Sequence, residues 1–198
     1  RSLCAKAPSK FTQIARNPER SVEIGGDNQV FAPIYGAPFV RDLEGGRRYG
    51  DIVSFNDLVR LTYMLPSLHH GGFVTCEPCD VPVNKRHLDM LLAHMTLSDK
   101  PHLGAITEMS RAQDSVDMAE IVFGKEVMDA NCVIMGNVNT NSPLLVDKVV
   151  TEAARVYSSR GQGMVVVPFI LSGAMGPVST AASVAQAIAE AMICLLYT

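Results

Sequence analysis

A chain of 198 residues is long enough for one ordinary domain with a sizeable core. A formal charge of −3 with no Lys/Arg block argues against a nucleic-acid surface. Hydrophobic content of 47% with no run of spanning length argues against a membrane protein.

Five cysteines at positions 4, 76, 79, 132 and 194 are scattered and odd in number. That pattern fits a reducing cytoplasm better than a disulfide framework. No signal-peptide pattern follows Arg1.

Residues 1–27 are weakly patterned, and the stretch after them alternates apolar pairs with Gly and Pro. Gln29–Pro33 and Pro38–Asp42 read as short strands of an antiparallel extension, joined by a turn at Tyr35-Gly36-Ala37. Ser54 reads as a helix N-cap with Asp57 in the first turn, and Leu58, Leu61, Met64 and Leu65 follow at helical spacing. His69-His70-Gly71-Gly72 is expected to end that helix, the two histidines serving as its cap.

The chain then keeps a regular beat. Apolar, strand-like runs fall at Phe73–Cys76, Leu103–Ile106, Cys132–Met135 and Met164–Phe169, starting about 30 residues apart. Amphipathic helices are expected between them at Lys85–Leu97, Ser110–Phe123 and Leu144–Tyr157, with a fourth from Thr180. Repetition of this βα unit implies parallel strands, in a doubly wound sheet or a barrel.

The strand ends favour the barrel. Each is followed by polar groups: Glu77 and Asp80, then Thr107 and Glu108, then an Asn cluster, then Ser172-Gly173-Ala174-Met175-Gly176. A barrel recruits its site from many successive strand ends, whereas an open sheet concentrates ligands at one switch point. The predicted fold class is therefore α/β: four consecutive βα units of a (β/α)8 TIM-type barrel, with a short antiparallel N-terminal extension. Residues 1–50 would form the extension, and 51–198 a partial barrel truncated at its C-terminal end. A full barrel needs about 250 residues. The final helix carries Val184, Ile188, Ala191 and Met192 on one face, and the terminal ICLLYT departs from its pattern as a non-native scar would.

Chemistry concentrates at residues 131–147, NCVIMGNVNTNSPLLVD, where a buried strand gives way to Asn137, Asn139, Asn141 and Ser142. A helix cap needs one such residue, and here there are several. No GxGxxG follows a strand, and GxxxxGK[ST] and GxSxG are absent. Cys76-Glu77-Pro78-Cys79 is a lone CxxC without the second pair a zinc site would need, so no metal set is expected. His102 falls at the amino end of a strand, where stability is the default role. What remains is a polar rim with carboxylates (Glu77, Asp80, Glu108), amides and the Phe169 ring, suited to an alkylammonium ligand. For Asp80, capping the following helix is the preferred reading.

The segments GNVNTNSPLLVD (136–147) and VVVPFILSGAMGPVSTAASVAQAIAEAM (165–192) resemble the trimethylamine methyltransferase family, and a looser likeness extends from Ile24 to Met192. The resemblance implies a (β/α)8 barrel about twice this length, of which this chain would be an internal piece. It also implies methyl transfer from a tertiary or quaternary amine, trimethylamine or betaine-like, to the cobalt of a corrinoid (cobalamin) carried by a separate protein. On that reading Glu108, Asn137, Asn139, Asn141, Ser142 and Phe169 bind substrate, and Gly173 and Met175 meet the corrinoid. The pyrrolysine of the trimethylamine branch would lie beyond Thr198. The full-length protein is expected to be a homo-oligomer, and the isolated chain to be inactive and prone to associate.

Alternatives are a chain that binds a methylated amine without turnover, and an unrelated barrel enzyme such as an aldolase-type lyase. The lyase usually needs a strand-end Lys, and none is offered here.

Overall fold

The computed structural model describes residues 8–197, with side chains as far as Met192. It opens with an antiparallel pair that the weak early patterning did not reveal, β1 (Lys10–Gln13) and β2 (Val22–Gly25). A second pair follows, β3 (Phe39–Asp42) and β4 (Gly46–Tyr49). The expected partner of β3, Gln29–Pro33, is not a strand. Its backbone turns to a different neighbour: the Phe31 carbonyl accepts from the N–H groups of His69 and His70, and Gly36 N–H donates to Val74 O. The turn that makes the hairpin lies instead at 42–46. There the Asp42 carboxylate accepts from Glu44 N, and Gly46 supplies the positive φ of 66°.

Helix α1 (Ile52–Met64) starts one residue after Asp51, not at Ser54. Asp51 Oδ1 accepts from Ser54 N at 2.7 Å, and Asp80 Oδ1 reaches across to Ile52 N at 2.9 Å. Asp80 thus caps the helix before it rather than the one after. The helix also stops short of the glycine pair at 71–72. Lys100, 4% exposed, donates to the carbonyls of Thr62, Leu65 and Leu68 at 2.7, 2.9 and 2.7 Å. A buried ammonium therefore ends α1, and the histidines have other duties.

Three strands form a parallel sheet in the order β5 (Leu103–Gly104), β6 (Met135–Thr140) and β7 (Gly163–Pro168). Their register is close to the expected beat, although β5 is shorter and β6 begins three residues later than predicted. The fourth predicted strand, Phe73–Cys76, is buried but bent at Phe73, Thr75 and Cys76 rather than a regular strand. Around it Gly71 N donates to Pro101 O, Leu103 N to Gly72 O, and Glu77 N to Ala37 O. Between these contacts Thr75 N turns back onto Phe73 O at 3.2 Å, and that bend interrupts the ladder.

The helices are α2 (Arg86–Leu97), α3 (Met109–Phe123), the short α4 (Lys125–Ala130), α5 (Lys148–Ser159) and α6 (Thr180–Tyr197). Helix α5 begins four residues after the predicted Leu144. Residues 141–145 close on themselves first, and Asp147 supplies the cap to Val149 N. The side chains of residues 193–198, the ICLLYT stretch, lie outside the described residues.

One side chain explains how the helices seat on the sheet. Gly104 and Gly136 are register partners on β5 and β6. A Cβ at Gly104 would lie 2.3 Å from the Tyr157 hydroxyl, and one at Gly136 2.9 Å from the Tyr157 ring. The paired glycines therefore form the slot for Tyr157 of α5, which is fully buried and donates to Ala105 O at 2.8 Å. Side chains alternate along a strand. Gly136, Val138 and Thr140 thus face the helices, while Asn137 and Asn139 face the other way, beside Val165 and Val167 of β7.

At the amino end of the sheet, Gln13 is fully buried. It donates to His102 O at 2.9 Å and accepts from His70 Nε2 at 3.0 Å, and Ile14 N donates to Cys132 O at 2.8 Å. The first hairpin is therefore stitched under the strands. His94 stacks on His102 there, with ring centroids 5.3 Å apart.

Candidate functional site

The carboxyl ends of the parallel strands carry most of the polar residues singled out from sequence, and they play different parts. Asn137 is buried on β6, and its Oδ1 has no hydrogen-bond partner among the described residues. Tyr35 lies beside it. Burial pushes the Tyr35 phenol up to about 12, against a downward pull from the Asn137 amide and with a further upward push from Glu77. The two form a neutral polar pair next to a carboxylate. Asn139 is exposed on the same face of β6, toward Val165 and Val167.

Asn141 and Ser142 belong to a tight turn. Asn141 N donates to Leu145 O at 2.7 Å, and Leu145 N returns to Asn141 O at 3.0 Å. A second turn of similar length follows β7, closed by a parallel rather than an antiparallel bridge, between Ser172 and Gly176. Gly173 sits at its tip with φ 81°, and its N–H donates to Gly176 O at 3.0 Å. Met175 is half-buried beside it, and Phe169 is exposed ahead of it.

A residue that sequence reasoning missed holds the first turn. Glu190 of α6 is fully buried. Its Oε2 accepts from Thr140 Oγ1 at 2.8 Å and Ser142 Oγ at 2.6 Å, and its Oε1 accepts from Leu144 N at 3.1 Å and Gln186 Nε2 at 2.9 Å. Burial alone would raise this carboxyl. The donors from Ser142, Gln186, Leu144 and Thr140 overcome it and bring the pKa down to about 2. A signal was available: Gln186 and Glu190 are a polar i, i+4 pair in an otherwise apolar helix. The apolar stripe read instead, Val184, Ile188 and Met192, is about half exposed.

Glu108 occupies the N-cap position of α3 without making a cap bond, and it pairs at 3.2 Å with Arg111 one turn on. Glu77 pairs with Arg86 at 3.1 Å. Both arginines line a cavity of about 230 Å³ above β5, together with Tyr35, Phe73, Thr107 and His87. Of the CxxC thiols Cys79 is exposed and Cys76 is buried, and burial, then the charges of Asp51, Cys79 and Glu77, push Cys76 up to about 11. Among the described residues no group of three or more His, Cys, Asp or Glu is placed to hold a metal ion, and no helix is long and apolar enough to cross a membrane.

A mixed α/β fold with polar groups at the carboxyl ends of parallel strands carries them where α/β proteins place their ligands. The sequence model of the trimethylamine methyltransferase (MTTB) family matches residues 1–198, so this chain belongs to that family. The glycine betaine methyltransferase of Desulfitobacterium hafniense (strain Y51) is 37% identical over 192 residues, covering 96% of this chain. The chain spans 40% of the length of that relative.

Proposed function

We propose that the chain forms an internal part of a (β/α)8 barrel that moves a methyl group from a tertiary or quaternary amine, trimethylamine or betaine-like, to the cobalt of a corrinoid on a separate protein. Family membership supports the reaction class, and three parallel strands in sequential order support the barrel. The observation that carries the substrate site is Asn137: a buried amide oxygen without a partner, set beside a neutral phenol and a carboxylate. An unpaired buried acceptor costs about 1–3 kcal/mol, a cost that a ligand would relieve. Its negative end suits the diffuse positive charge of a methylated nitrogen, with the Phe169 ring and Asn139 extending the same face. Asn141 and Ser142 shape the loop above it, and Glu108 contributes charge at the rim.

The corrinoid, when its carrier docks, supplies a reduced cobalt nucleophile. This chain's part is to hold the amine with one methyl group directed out of the strand ends. Gly173 and Met175 belong to the turn after β7, where little side chain covers the backbone. A broad, flat macrocycle could approach closely there. Free thiols at Cys76, Cys79 and Cys132 support a cytoplasmic location.

In the full-length protein with a reduced corrinoid protein and amine, methylcorrinoid formation should be visible by absorbance. Asn137→Ala should lower kcat/KM by about 30-fold, from the loss of roughly 2 kcal/mol. An unchanged kcat/KM would remove Asn137 from the substrate site.

The barrel reading also predicts the behaviour of the 198-residue chain alone. Val165, Val167 and Phe169 are exposed, and β7 has an open edge. Purified chain is expected to sediment as dimers or larger species and to show no methyl transfer. A monomer with a sharp cooperative melt would count against the half-barrel.

A further inference from the structure

The cavity above β5 has features that the methyl-transfer reading leaves unused. It lies between the first turns of α2 and α3, walled by Phe73, Met90 and Ile106, and Tyr35 closes the side nearest Asn137. His87 lines it and is only 5% exposed. Its Nε2 is bonded to Asp114 Oδ2 at 2.7 Å, while its Nδ1 is buried with no partner among the described residues.

Two guanidinium groups face the same space, and neither is saturated. Arg111 uses Nε toward Glu108 and Nη1 toward Thr107 Oγ1, leaving Nη2 unpartnered among the described residues. Arg86 binds Glu77 and Val81 O but has hydrogens left on both η nitrogens. Helix α3 also begins here without a side-chain cap, so its first N–H groups add positive potential. Each arginine is paired with one carboxylate, Arg86 with Glu77 and Arg111 with Glu108, so the cavity offers their unused N–H groups rather than a net charge. A site of this size with such donors suits a small carboxylate, which accepts planar, forked hydrogen bonds from arginine.

We propose that this cavity is a carboxylate-binding subsite, taking the acid end of a small zwitterionic methylated amine whose methylated nitrogen lies toward Tyr35 and Asn137. The nature of the ligand rests on the methylated-amine reading; the anion site rests on the cavity alone. Asp114 orients His87, and Arg111 is the main carboxylate contact because it has the most unused donors.

Calorimetric titration of the full-length protein with glycine betaine, choline, acetate and inorganic phosphate tests the assignment. Glycine betaine should bind at least about 10-fold tighter than choline, which has the same trimethylammonium without the acid, since one charge-assisted contact is worth about 1.5–3 kcal/mol. Arg111→Met should abolish that preference and leave choline affinity unchanged, which also shows that the variant is folded. Arg111→Lys should restore part of the preference. Acetate should bind wild type weakly and Arg111→Met not at all. Choline binding as tightly as glycine betaine, or a preference that survives Arg111→Met, would overturn the subsite. Phosphate binding tighter than either carboxylate would overturn its assignment to carboxylates. A carboxylate preference lost with Arg111, in a protein that transfers no methyl group, supports the subsite and counts only against the transfer reading.

Discussion

Lowering the pH from 7 to 5 should destabilise this fold by about 4 kcal/mol or more, through three buried histidines. His70 and His94 are held neutral, with pKa values lowered to about 3 chiefly by burial and then by His102. His102 is lowered by burial as well, and then by Arg16, against an opposing bond to Leu103 O. The unfolded chain takes up these protons near the ordinary histidine value of 6.5, whereas the folded chain does not. Stability therefore falls as pH drops below about 6.5, and goes on falling until the folded value near 3 is reached. At pH 5 each of His70 and His94 contributes a loss of about 2 kcal/mol, with His102 adding in the same direction. Total stability is only about 5–15 kcal/mol. Urea melts at pH 7.5, 6 and 5 should show the loss. His94→Gln, which keeps a donor toward Phe73 O, should flatten the slope by about one proton. Equal stability at pH 7.5 and pH 5 would mean that these rings are not buried neutral.

Replacing Glu190 with Ala should cost about 3 kcal/mol and loosen the turn at 141–145 before the rest of the sheet. The substitution strands the Leu144 N–H, the Gln186 amide and two hydroxyl groups that now converge on one carboxylate. Hydrogen exchange at Leu144 should accelerate by more than global unfolding explains. The pH dependence has the opposite cause from the histidines but the same sign. A carboxyl lowered to about 2 stabilises the fold fully above the ordinary value of 4.5, and that stability is lost as pH falls through 2. Its window, from 4.5 down to 2, overlaps the lower part of the histidine window, so the contribution of Glu190 is read as the difference between wild type and Glu190→Ala below pH 4.5. A turn that exchanges at wild-type rates in Glu190→Ala would show that its own backbone bonds suffice.

The beat of the βα units was legible because parallel strands leave uninterrupted apolar runs, buried at Cys132–Met135 and exposed on one face at Met164–Phe169. The same rule overcalled Phe73–Cys76. Burial was right there, but the backbone bend at Phe73–Thr75 leaves no trace in hydropathy. At α1 the N-cap is Asp51, three residues before the Ser54 expected, and the groups that reinforce its start and hold its end, Asp80 and Lys100, come from 28 residues past Ile52 and from 32 past Leu68. The Asn cluster was visible as composition, yet only the strand register separates buried Asn137 from exposed Asn139. Glu190 and His87 were hidden for a related reason: each is a polar residue on a helix, and its partners lie on another element.

The turns after β6 and β7 answer to one helix. Glu190 grips the first, while Ser183, two turns earlier, bonds Ser172 Oγ and Pro177 O at 2.8 Å each and so grips the second. Between them Gln186 touches both, at Met175 O and at Glu190 itself. Helix α6 is thus a single rod bolted to two neighbouring loops. Any shift along its axis carries both in the same direction, so the strand end beside Asn139 and the tip at Gly173 keep their spacing when either is pushed.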